Sequence, residues 1–99
     1  MWKLDSIAPS TRAGKKWTAK FSNTDGSRKT LHFGAKGYQD FTQHKDEIRA
    51  ESYRSRHSKD LLTANSQSGL SPGALSYYVL WSSPSFAQGV KNYKTKYHL

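Results

Sequence analysis

The sequence predicts a small single α+β domain, an N-terminal β-hairpin followed by about three α-helices, and three observations predict it. Apolar residues alternate strictly on either side of a turn-rich pentapeptide, Asn23-Thr24-Asp25-Gly26-Ser27. A Glu-, Arg- and Lys-rich stretch follows with its acids first and its bases last. Two Ser-Pro pairs then open segments of helical period.

The hairpin comes first. Trp17, Ala19 and Phe21 alternate with Lys16, Thr18 and Lys20, and Leu31 and Phe33 alternate with Thr30 and His32. Each run is a half-buried strand with one polar face. A two-residue Asp25-Gly26 loop would oppose Phe21 to Thr30 and Lys20 to Leu31, mixing polar and apolar on each face. A three-residue Thr24-Asp25-Gly26 loop opposes Ala19 to Leu31 and Trp17 to Phe33, with Gly26 at the left-handed bulge position. The second register is expected. Residues 1–15 read as an arm, broken by Ser6, Pro9, Ser10, Thr11 and Gly14. Its apolar Trp2, Leu4 and Ile7 imply that it lies against its own core or a neighbour.

Gly34 and Gly37 close the second strand, and Ala35 to Thr42 forms a compact loop. A helix is expected from about His44 to Lys59. Asp46 and Glu47 begin it and Arg54, Arg56 and Lys59 end it, as the helix dipole favours. Its apolar side is narrow: Ala50, Tyr53 and His57 share a face and Ile48 stands apart. Residues 60–73 read as an internal loop rich in Ser, Asn and Gly. Ser71 and Pro72 suit the N-cap and first position of a helix running to Trp81, apolar nearly all round and so deeply buried. Ser83-Pro84 repeats the signal for a last helix, in which Phe86, Val90, Tyr93 and Tyr97 form one stripe. The domain then spans 16–97.

Composition sets the bounds. Thirteen aromatics outnumber the twelve residues of Leu, Ile and Val, so the core should be aromatic and the ends loosely held. Without Cys there is no disulfide framework, thiolate nucleophile or cysteine zinc site. No apolar run reaches the ~20 residues of a membrane span, and the N-terminus lacks the apolar core of a secretory signal. The net charge is +9. Residues 1–40 hold eight basic and three acidic groups, 41–70 five and four, and 71–99 three lysines and no acid. The basic excess therefore lies towards the two ends.

The run His32-Phe33-Gly34-Ala35-Lys36-Gly37-Tyr38-Gln39-Asp40-Phe41-Thr42-Gln43-His44-Lys45-Asp46, followed by Arg54, Arg56 and His57, resembles a small basic protein family of nucleocytoplasmic large DNA viruses that infect algae and amoebae. Lys15-Lys16-Trp17 and Leu80-Trp81-Ser82-Ser83-Pro84-Ser85 also resemble that family, over roughly residues 15–97. Its members share an HFGAxGxxDxTxHKDxxRxxxYxxRH-like block and carry no settled activity. The resemblance implies a virion or genome-associated protein, found in the virion and, during assembly, in host cytoplasm or nucleus.

Other chemistries find little support. His32, His44, His57 and His98 share no metal-ligand spacing, so no metal and no cofactor is expected. His32 and His44 are expected to bond loop backbone around Gly34–Asp40. Asp40, Asp46 and Glu47 suit turn and helix-start roles better than acid–base work. Gly34-Ala35-Lys36-Gly37 lacks the phosphate-loop frame. The chain reads as no enzyme. Arg12, Lys15, Lys16, Lys20, Arg28, Lys29, Lys91, Lys94 and Lys96 are the candidate contacts to an acidic partner or nucleic acid. The expected function is a virion structural protein, a minor capsid or internal component, contacting other virion proteins. The alternative is nonspecific DNA or RNA binding in genome packaging.

Overall fold

The computed structural model describes residues 1–59, 61 and 69–99. It is an α+β domain with two layers. One is an antiparallel sheet in the order β1 (Trp2–Pro9), β2 (Lys15–Asn23), β3 (Arg28–Ala35). The other is helical: α1 (Phe41–His44), α2 (Glu47–His57), α3 (Pro72–Leu75) running on into a π-helical turn (Ser76–Leu80), and α4 (Phe86–Tyr97). The interior loop expected over 60–73 lies mostly outside the described residues; of its described part, Leu70 is buried and Pro72 already belongs to α3.

The hairpin has the register that the apolar pattern requires. Trp17 opposes Phe33 and Ala19 opposes Leu31. Gly26 closes the loop at φ +91°, donating its N–H to the Asn23 carbonyl at 2.9 Å. No side chain tolerates that backbone as well as glycine.

The N-terminal segment corrects the arm reading. Residues 2–9 form an edge strand on β2, with Leu4 opposite Phe21 and Ile7 opposite Ala19. The pairing shifts by one residue between Leu4 and Ser6, leaving Asp5 as the extra residue of a bulge. That bulge resets the phase, so Leu4 and Ile7 both reach the core face although they are three apart. It is why residues 1–15 show no steady period and yet pack.

The helix expected from about His44 to Lys59 is α2, Glu47–His57; the short α1, Phe41–His44, precedes it where a loop was expected. Asp40 caps α1 in a capping box: its carboxylate accepts from Thr42 N at 2.9 Å, and Gln43 Oε1 accepts from Asp40 N at 3.1 Å. Lys45 ends α1 in the left-handed region at φ 54°. Asp46 then starts α2, accepting from Ile48 N and Arg49 N at 3.0 and 3.3 Å. Two strong caps in succession keep α1 and α2 separate. Ser71 caps α3 with Pro72 at its start, as expected. For α4 the cap is Ser85 instead of Ser83. Ser83 Oγ accepts from Ser85 N at 3.1 Å, so the Ser-Pro pair forms a turn just ahead of the helix.

Between the layers lies the core. Phe21, Phe33, Leu75, Val79, Leu80 and Tyr93 are fully enclosed, each contributing about 1.5–3 kcal/mol of burial. Trp17 meets Phe86 with ring centroids 4.7 Å apart, and Tyr78, Tyr93 and Tyr97 meet edge to face. Gly89 lets α4 touch the π-helical turn: a Cβ there would stand 2.3 Å from the Val79 carbonyl oxygen.

Candidate basic interface

The two-layer arrangement divides the nine predicted basic residues. Cross-strand rows Lys3–Ser22–Arg28 and Ser6–Lys20–Thr30 put Lys20 and Arg28 on the outer face of the sheet, with Lys3 beside them. Lys29 follows Phe21 in register but is exposed beyond the core edge. Arg12 lies in the β1–β2 connection and Lys15 opens β2, its N–H donating to the Arg12 carbonyl at 3.2 Å. Lys91, Lys94 and Lys96 are exposed on α4, turned from its buried Gly89 and Tyr93. α4 packs chiefly against the π-helical turn and meets the sheet through Phe86 on Trp17, so its lysines and the sheet's outer cations belong to two separate surfaces.

Lys16 behaves differently from the other eight. Its Nζ donates to Asp40 Oδ2 at 2.8 Å and to Gln43 Oε1 at 2.6 Å, with both charged side chains largely enclosed. It is a clamp between β2 and the start of α1. Asp40, the sole buried charged residue among those described, needs that partner in a low-dielectric setting. Thr42 Oγ1 also donates to it.

Next to the clamp, α2 is held by polar and ring contacts. Tyr53 stacks on Trp81 with centroids 4.1 Å apart and planes at 6°, and on His57 at 4.1 Å. Arg54 donates to the Trp81 carbonyl at 2.6 Å, pairs with Glu47 at 2.9 Å and lies over the Phe41 ring. Beside this stack is a cleft of about 290 Å³, walled by α2, the end of β3 and the following loop, with Leu80 and Trp81 also lining it. Arg49 and Arg56 line it, as do Lys16 and the ring of Tyr38. Arg49 and Arg56 were absent from the sequence-based set because on a mixed-charge helix they read as solvent-facing charges. The signal was present all the same: Arg49, Tyr53, Arg56 and His57 follow one helical face.

His32 and His44, expected to bond the backbone of the 34–40 loop, bond elsewhere. His32 Nδ1 lies 3.0 Å from Ser10 Oγ and 2.8 Å from Thr18 Oγ1, on the outer sheet face. His44 Nδ1 accepts from Asp46 N at 2.8 Å, which puts its proton on Nε2, and its ring lies 5.4 Å from that of Trp81. Their partners are residues that strand pairing and the α1–α2 break bring near. Among the described residues no group of three or more His, Asp or Glu side chains is placed to hold a metal ion. None of their helices is long and apolar enough to cross a membrane.

No curated protein and no solved structure matches the chain. Residues 6–57, from β1 through the end of α2, match the model of a family described as "Family of unknown function (DUF5754)". That stretch is more than half of the chain and holds the whole hairpin, the Lys16–Asp40 clamp and the α2 wall of the cleft, and the protein belongs to this family.

Proposed function

We propose that the protein is a non-enzymatic structural component of the virion of a large DNA virus, a minor capsid or internal protein that joins acidic surfaces of other virion proteins. The observation that carries the reading is the division of exposed cations between the outer sheet face and the solvent side of α4. A domain with two separate basic surfaces can bridge two acidic neighbours, whereas a binder with one groove needs its cations together. The large-DNA-virus setting rests on the resemblance of the His32–Asp46 block. A mass-spectrometric inventory of purified particles tests it. The protein should be present in stoichiometric amounts and cross-link through Lys91, Lys94 or Lys96; particles that lack it would rule the role out.

The open sheet face favours a second reading, nonspecific binding of DNA or RNA. Lys3, Lys20 and Arg28 stand there in adjacent cross-strand rows. Duplex affinity should then fall steeply between about 50 and 200 mM salt, by a log–log slope near −0.9 per phosphate neutralised. No retention of duplex at low salt excludes this reading and leaves the first standing.

A further inference from the structure

We propose that the cleft beside α2 is a binding site for a nucleoside phosphate. This goes beyond the bridging role and does not depend on it. Arg49 and Arg56 lie seven residues apart on α2, about 10 Å along its axis, so their side chains share one face and reach the same space. Among the described residues neither guanidinium pairs with a carboxylate; the ion pairs there are Lys16–Asp40 and Arg54–Glu47. Among the described residues no Asp or Glu lines the cleft. The third cation, Lys16, has its charge balanced by Asp40 behind the wall. Two positive groups therefore line a recess in which no described carboxylate pairs with them, and a phosphate is the group that guanidinium forks fit best.

The rim supplies the rest of the ligand's chemistry. Tyr38 lines the same cleft and is 75% exposed, held out by a loop that turns at Gly37 with φ +90°. Tyr53 is already stacked on both sides, by Trp81 and His57, so Tyr38 is the ring with a face open to a planar base. At about 290 Å³ the cleft is at the small end of ligand sites, roughly 300–1,000 Å³. It suits phosphate and sugar, with the base outside on Tyr38. Such a unit comes either as a free nucleotide or as one residue of a single strand.

Titration calorimetry on the full chain distinguishes these sources, with AMP, adenosine, inorganic phosphate and a twelve-nucleotide oligothymidylate as probes. AMP or the oligonucleotide should bind, and adenosine at least tenfold more weakly than AMP if AMP binds. The R49Q/R56Q double variant should weaken the bound probe at least tenfold. Y38A should weaken it severalfold while leaving inorganic phosphate unchanged. Affinity for AMP equal to that for the strand assigns a free nucleotide; a strand bound at least tenfold more tightly assigns a polynucleotide. Amide shifts in the wild-type protein provide a readout that needs no variant, and should gather at residues 37–39 and on the cleft face of α2. Failure of both AMP and oligothymidylate to bind, binding untouched by R49Q/R56Q, or shifts centred on α4 would each overturn the assignment.

Discussion

Helices α2 and α4 are of nearly equal length and are held in opposite ways. α4 is held chiefly by close packing, with Tyr93 fully enclosed and Gly89 bringing the backbone against the Val79 carbonyl, and hydrogen bonds from Tyr93 and Asn92 add to it. On α2 only Ala50 is buried, and Ile48 is 77% exposed. What fixes α2 is the Tyr53–Trp81 stack, the Arg54 bonds to Trp81 and Glu47, and the Asp46 cap. The contrast teaches where binding chemistry is placed in so small a domain. The element that fills the core has an ordinary lysine exterior, and the element that buries only Ala50 presents arginines to a cleft. Ring stacking and backbone-directed arginine bonds orient α2 without enclosing its polar face.

The largest effect should come from breaking the apolar side of the comparison. Tyr93→Ala removes a fully buried ring that donates its hydroxyl to the Gly69 carbonyl at 2.7 Å. Denaturant unfolding should show a loss of about 3–5 kcal/mol. Next comes the clamp that joins the two regions: Lys16→Met leaves Asp40 buried without its cation, and about 3 kcal/mol should go. Smaller is Gly89→Ala. Its Cβ would collide with backbone that has little room to move, costing about 1–3 kcal/mol by overpacking, partly offset by about 1 kcal/mol of helix propensity.

A pH titration sharpens the same contrast. Burial raises the phenols of Tyr78 and Tyr93, and pushes that of Tyr97 up to about 12. The folded state thus keeps these protons after the unfolded chain, with ordinary phenols near 10, has begun to lose them. Their contribution is complete below about pH 10 and is lost as pH rises through the folded values. Stability followed by circular dichroism should therefore decline above about pH 10, with the tyrosine contacts around α4 giving way first.

Much of the fold was legible because alternation is a local signal. Trp17, Ala19, Phe21, Leu31 and Phe33 specify both the strands and their register. β1 was not legible, since the bulge at Asp5 breaks the period on which a strand is recognised. The start of α2 was misjudged by about three residues for another reason: Asp46 suits the first turn of a longer helix as well as the cap of a new one. For the site, charge alone picked out the α4 lysines and the sheet cations, which are exposed. It gave no sign that Lys16 is paired, because its partner Asp40 is twenty-four residues away and comes near only through the fold. Arg49 and Arg56 were hidden by the acids around them in the sequence, none of which lines the cleft.

Native-state hydrogen exchange tests the central contrast most directly, because it reads each helix separately. Amides of α4 and of the sheet should exchange only through global unfolding, at the full unfolding free energy. Amides of α2 should exchange through a smaller opening that leaves the core intact. Equal protection of α2 and α4, with both following global stability, would contradict the account.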